Sequence, residues 1–247
     1  MRVVFRCDPA LLDILPRPVP ARRALPDWLR AMPGAAYSET HGQNVRTLKQ
    51  CPPFVDAMIH GFIMPLACDV AVRRGRFEWD WNAPPPSVES HPRAPLSFHA
   101  PAQSLGSPLH DDERATIKFN SFWTIELDPG FSLYATHPVN RADLPFRTVT
   151  GLIDADRFNA VGILFPAVWT EPDFSGILPA GTPVAQCFPV RREALELTFA
   201  PMSASEAGAY DSLAGELLSK TGVYRRRFRA GRSSSHQRGA QRAKVEP

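Results

Sequence analysis

Two carboxylates stand directly behind a Gly-Leu-Ile run in GLIDADRF, residues 151–158. In an extended chain alternate residues share a face, so Leu152 and Asp154 point one way and Ile153 the other. Ile153 can then anchor a core while Asp154 faces a partly lined pocket, where modest desolvation makes a carboxylate a better base. Asp154 is therefore the candidate general base, with Asp156 in the turn behind it as a candidate substrate contact. An Asp that caps a turn through its own backbone is the competing account. His137-Pro138-Val139-Asn140-Arg141 also follows an apolar run and so emerges at a strand end, where a rigid support can carry a site. Arg141 can grip a carboxylate or phosphate with two parallel hydrogen bonds, and His137 stands beside it as a second candidate contact. Pairing of Arg141 with the nearby Asp143 is the plainer alternative.

A metal is the other chemistry that the residue types suggest. His91, His99, His110 and His137 lie within 47 residues, and His110-Asp111-Asp112 contains His-x-Asp, two of the three ligands that hold ferrous iron in a facial triad. An iron-dependent oxygenase using His99, His110, Asp112 and His137 is thus an alternative reading. Against it, SPLHDDER reads as an exposed loop, and a third ligand normally lies farther along the chain than His137. The main reading places no metal there. No Gly-x-Ser-x-Gly elbow, phosphate-binding Walker loop or dinucleotide fingerprint is present.

These residues need elements to position them. The chain has 247 residues, of which 44% are hydrophobic, enough for a substantial core. Twenty-six prolines spread along it leave little room for long helices. From residue 115 onward short apolar runs recur: TIKF, FWTIEL, FSLYATH, FRTVTGLI, VGILFPAVW, PVAQCFPV and ALELTFA. Turn residues such as Asp128-Pro129-Gly130 separate them. VAV, RRGR and FEWDW make a hairpin. The expected fold is mainly β, a single sandwich, jelly roll or related barrel over residues 51–229. Residues 1–50 read as an extended adaptor with one short helix, Pro26 to Met32, and residues 203–228 as a last helix capped by Ser203 or Ser205.

Residues 224–247 hold eight basic residues against one acid, which leaves 20 basic and 24 acidic residues in 1–223. The stretch 230–247 is expected to be disordered and to attract polyanions without specificity. Cys7, Cys51, Cys68 and Cys187 form no CxxC pair and read as reduced core thiols. No apolar run approaches the roughly 20 residues that cross a bilayer, and the N-terminal residues lack the core of a signal peptide. No membrane contact and a cytoplasmic location are expected.

GLIDADRF, followed by Gly181 and a buried strand with Ala185 and Gln186, resembles two of the five motifs of the trimeric dUTPases and the related dCTP deaminases. The resemblance covers about 40 residues, 151–190. It implies a β-clip, a distorted jelly roll; a water oriented by Asp154; a phosphate contact from Gln186; Mg²⁺ as the neutralising ion; and a homotrimer. That family's Arg-Ser-Ser and C-terminal Gly-rich motifs have no counterpart here. The phrases CPPFVDAM, IKFNSFWTIELDPGFSLYATHPVNRADLPF, GLIDADRF and GTPVAQCFPVRRE resemble a family of phage and bacterial proteins of similar length, a resemblance that implies a phage-derived accessory role and no particular activity.

Three functions are therefore expected as alternatives. The first is a β-clip protein that binds, and hydrolyses or modifies, a nucleotide or similar phosphorylated small molecule, using Asp154 with Arg141, Asp156, Gln186 and His137. The second is a jelly-roll oxygenase with Fe(II). The third is a non-catalytic binding or accessory protein.

Overall fold

The computed structural model describes residues 1–81, 83–111 and 115–231. Asp112 and residues 232–247 of the basic stretch lie outside the described residues. Sixteen strands and four α-helices are present among the described residues. The fold is mainly β, as the proline density and short apolar runs require.

In chain order the first strands and helices are β1 (Val3–Arg6), β2 (Val19–Pro20), α1 (Asp27–Ala31), β3 (Ala35–Ser38), β4 (Gln43–Arg46) and α2 (Pro52–Ile59). There follow β5 (Phe62–Pro65), β6 (Val70–Arg73), β7 (Arg76–Glu78), β8 (Leu96–Phe98), β9 (Thr116–Asn120) and β10 (Thr124–Leu127). The remaining strands are β11 (Phe131–Thr136), β12 (Phe146–Thr148), β13 (Gly151–Ile153), β14 (Leu164–Trp169), β15 (Ser175–Leu178) and β16 (Pro183–Arg191), before the helices α3 (Ala204–Ser219) and α4 (Val223–Arg227). They pair antiparallel in a five-stranded sheet of order β13-β11-β16-β5-β2, a four-stranded sheet β12-β14-β9-β8 and a three-stranded sheet β15-β6-β7, with β1-β10 and β3-β4 as two-stranded ribbons.

Local pattern explains most of these strands. In β9, TIKFN buries Ile117 and Phe119 and leaves the alternate residues half-buried, the period of a strand with one face inward. β10 and β14 repeat the pattern. In β5, Phe62, Ile63 and Met64 are all buried, as a strand covered on both faces demands. Aromatic rings pack within and between the sheets: Phe119 lies 4.7 Å from Phe146 in the four-stranded sheet, and Phe77 of the three-stranded sheet meets Trp169 edge-on at 5.0 Å.

Residues 1–194 make one compact unit. Residues 1–50, expected as an adaptor, are woven into it: Phe5 of β1 pairs with Ile125 of β10, Leu11 is fully buried, and Trp123 donates its indole N–H to the Pro16 carbonyl at 3.0 Å. FRTVTGLI, read as a single run, breaks into β12 and β13, which belong to different sheets.

The described residues 195–231 belong to the second unit. Ser203 caps α3 by accepting from the Glu206 N–H at 3.3 Å while Glu206 returns a bond to the Ser203 N–H at 2.7 Å, the reciprocal box that the sequence spells. ALELTFA does not form a strand. Its alternation supplies an apolar face, but a strand also needs a ladder partner, and Leu195, Leu197 and Phe199 stand 88%, 77% and 92% exposed. No helix among the described residues is long and apolar enough to cross a membrane.

Candidate functional site

β13 is the outer strand of its sheet and pairs Ile153 with Leu133 of β11. Ile153 packs on the core while Leu152 is 63% exposed. Behind Ile153 the chain turns tightly: the Asp154 carbonyl accepts from Arg157 N–H at 2.9 Å and Phe158 N–H at 2.8 Å. The Asp154 side chain, 55% exposed, stands at this corner. Its Oδ1 accepts from Ser132 Oγ at 2.6 Å and from Arg192 Nη1 at 3.2 Å. Its Oδ2 accepts no hydrogen bond among the described residues. Asp156 is more enclosed, at 7% side-chain exposure. It accepts from Gly130 N–H at 2.9 Å and takes both terminal nitrogens of Arg192, Nη1 at 2.8 Å. The Arg192 hydrogen bonds, joined by that from Gly130, hold the Asp156 carboxyl far below the usual carboxylate range.

Arg192 was not singled out in the sequence, and it organises the corner. Besides the two carboxylates it donates to the Phe131 carbonyl at 3.1 Å, so one guanidinium ties the end of β16 to β11 and to the turn after β13. The only available signal was an Arg pair closing the apolar strand PVAQCFPV.

Gln186 lies elsewhere. Along β11, Asp154 sits at Ser132 and Gln186 pairs with Thr136, so four residues, about 13 Å of strand, separate them. Gln186 is 1% exposed. Its Oε1 accepts from Val139 N–H at 2.9 Å, and its Nε2 donates to the His60 carbonyl at 2.7 Å and the Ala57 carbonyl at 3.0 Å. These bonds fasten β16 to the end of α2 and to the loop after β11, and both amide hydrogens are spent on main chain.

Arg141 makes a two-pronged ion pair with Asp143, Nε to Oδ1 at 2.8 Å and Nη2 to Oδ2 at 2.8 Å. Burial opposes the charge on Asp143, but Arg141 outweighs it and holds that carboxyl below its ordinary value. His137 accepts at Nδ1 from Thr148 N–H at 3.2 Å, which makes the ring neutral with its proton on Nε2, donated to the Arg141 carbonyl at 2.8 Å. Burial pushes its pKa down, in keeping with that state. The structure therefore brings His137 and Arg141 together with the loop that Gln186 fastens, and Asp154 together with Asp156. It does not bring the two groups to one place.

The histidines of the metal reading separate as well. His99 Nδ1 meets Gln103 Oε1 at 3.0 Å, and His110 Nδ1 meets Ser104 Oγ at 3.0 Å. No group of three or more His, Cys, Asp and Glu side chains among the described residues could hold a metal ion. The described residues thus offer no set for Fe(II), and a Mg²⁺ at Asp154 and Asp156 would compete with Arg192 for both carboxylates.

Beyond Asp156 the same loop enters a cleft of about 720 Å³. Arg6 of β1 and Glu126 of β10, an ion pair of 2.5 Å, line it, and Val88, Val161 and Leu164 present exposed apolar surface. One wall is fixed by Asp8, whose Oδ2 accepts from Ser87 Oγ at 2.5 Å and Ser87 N–H at 2.8 Å, holding its carboxyl below the ordinary value. The lining is also fixed at Gly162, where any side chain would run into the Ser121 carbonyl oxygen. Asn159 lines the cleft and donates to the Asp156 carbonyl at 3.1 Å, which links the lining to the Arg192 clamp. The lining comes from four stretches of sequence far apart, around residues 6–9, 88–92, 121–126 and 159–164. No protein-family model matches the chain, and no curated protein matches it.

Proposed function

We propose that the protein binds a small organic molecule in the cleft between Arg6–Glu126, Val88 and Val161. The observation that supports this is the combination of size and lining. A volume of about 720 Å³ falls in the range of ligand pockets, with apolar walls and a few convergent polar groups. Arg6 is already neutralised by Glu126, so the lining suits a neutral or zwitterionic head with an apolar body better than a polyphosphate. Fixing of the walls by Asp8 and Gly162 lowers the ordering cost of binding. The test is a thermal-shift screen of nucleosides, amino acids and carboxylic acids, because a ligand of the folded state raises its melting temperature. Val161→Arg should fold normally and lose the shift. A ligand that stabilises the variant as well as the native chain sits elsewhere and overturns the reading.

A second reading, a nucleotide or similar phosphorylated ligand with Asp154 as general base, has its own support. Ser132 and Arg192 orient Asp154 through Oδ1 and leave Oδ2 open to a water. Arg157, which has no ion partner among the described residues, could meet a phosphate. The corner is open, so a neighbouring copy in a homo-oligomer, a trimer on the dUTPase-like resemblance, would have to enclose it. Mg²⁺ would enter only with the phosphates. Asp154→Asn should then keep its stability and lose turnover of a phosphorylated substrate by about 10²-fold or more. Normal turnover by that variant makes Asp154 a turn residue. If ligands bind and none turns over, the accessory, non-catalytic form of the first reading holds. All four cysteines are unpaired, which supports a reducing, cytoplasmic setting for either reading.

A further inference from the structure

The hairpin β6–β7 carries a feature that neither reading uses. Its two-residue turn is Arg74-Gly75, with φ of 47° and 75°, the left-handed pair that such turns require. Asn or Asp is favoured at the first of these positions, because a short polar side chain tolerates that conformation. The chain keeps an arginine there. Register places Ser175 of β15 opposite Arg73, and Arg73 opposite Arg76, so the three project from one face. Ile177 lies on the same face, 62% exposed, while Val70 and Val72 of the alternate positions are fully buried. Arg73, Arg74, Arg76, Ser175 and Ile177 line a shallow basin of about 820 Å³.

Like charges directly opposite each other on a sheet repel. Register places Glu78 opposite Ala71 on the same face, and neither it nor any other acid among the described residues forms an ion pair with Arg73, Arg74 or Arg76. Three unneutralised guanidiniums are thus held side by side on a rigid, short-looped ribbon. Their planar forks match the oxygens of a phosphate, and an anion bound between Arg73 and Arg76 converts their repulsion into attraction. The exposed edge of Ile177 supplies an apolar contact beside it.

We infer that the β6–β7 hairpin is a phosphate-binding site, formed by Arg73, Arg74 and Arg76 with Ser175 at its edge. The phosphate belongs either to a nucleic-acid backbone or to a small phosphorylated molecule. The experiment uses the full chain and Arg73→Gln/Arg76→Gln, with inorganic pyrophosphate in thermal shift and a labelled single strand of about 12 nucleotides in fluorescence anisotropy. Pyrophosphate should stabilise the native chain and not the double variant. With a nucleic-acid backbone as the source, the variant also binds the strand at least about 10-fold more weakly. Its log–log salt slope is then shallower by about 1.4, as two lost contacts require. Dependence of pyrophosphate binding alone on the arginines identifies a small phosphorylated molecule as the source. Equal behaviour of native chain and variant towards both probes overturns the site. If the double variant does not fold, Arg74→Gly carries the comparison, since glycine takes φ of 47° without strain, and it should weaken binding by about 3-fold or more.

Discussion

Gln186→Leu separates a structural tie from a ligand contact. Leucine is close to glutamine in volume and suits a site that is 1% exposed, so packing is nearly kept. What is lost is the partner of three main-chain groups, the Val139 N–H and the His60 and Ala57 carbonyls. Each buried group left without a hydrogen bond costs about 1–3 kcal/mol. The three groups are part-buried, so the low end of that range applies to each and gives a destabilisation of about 3 kcal/mol, a large share of the ~5–15 kcal/mol that holds a domain folded. With slopes of about 1–3 kcal/mol per molar urea, the unfolding midpoint should fall by about 1–3 M. Gln186→Glu sharpens the test, because a carboxylate still accepts from Val139 but faces two carbonyls with nothing to donate. Its pKa must then be raised in the folded state, so stability should recover as pH falls through that folded value towards about 4.3, the unfolded one. A leucine variant whose urea midpoint is unchanged would refute the reasoning and return Gln186 to the role of a dispensable contact.

His137 is held neutral, with its folded pKa below the ordinary 6.5, so its contribution is present above that value and is lost as pH falls below it. His137→Gln should remove this part of the decline in melting temperature on acidification, and an unchanged pH profile would contradict the assigned tautomer. Asp156 is depressed from 3.8 by Arg192, so its contribution is present above that pH and lost on further acidification. Asp156→Asn should melt lower at neutral pH and lose less of its stability in acid, as calorimetry across pH would record. Gly61 sits at φ of 70° with Cys187 O where a side chain would be, so Gly61→Ala should cost about 3 kcal/mol or more in urea unfolding.

What was legible in the sequence is what local physics fixes. Proline density left little room for long helices, and the short apolar runs TIKF and FWTIEL, with period-two alternation in GLID, marked strands, because a pleated chain sends neighbours to opposite faces. The Ser203–Glu206 box was readable because its two partners are three residues apart. The same local logic fails wherever the partner is remote. ALELTFA has a strand's alternation but no ladder, and FRTVTGLI is divided between two sheets by pairings with distant residues.

The site follows the same division. Alternation set Ile153 inward and Leu152 outward and turned Asp154 towards an expected pocket, but its side chain stands 55% exposed at the corner. That Asp156 is bound by Arg192, 36 residues on, and that Asp8 holds Ser87, 79 residues away, follows from tertiary contacts and from no local pattern. Gln186 reaches Ala57 across 129 residues. The sequence by itself determined the periodicities, the turns and the caps, which depend on neighbours a few residues apart. Only the tertiary structure decided which polar side chains are consumed by main chain, which arginine neutralises which acid, and which walls enclose a cleft. Those outcomes depend on burial and on contacts between strands that are distant in the chain, and no local pattern encodes them.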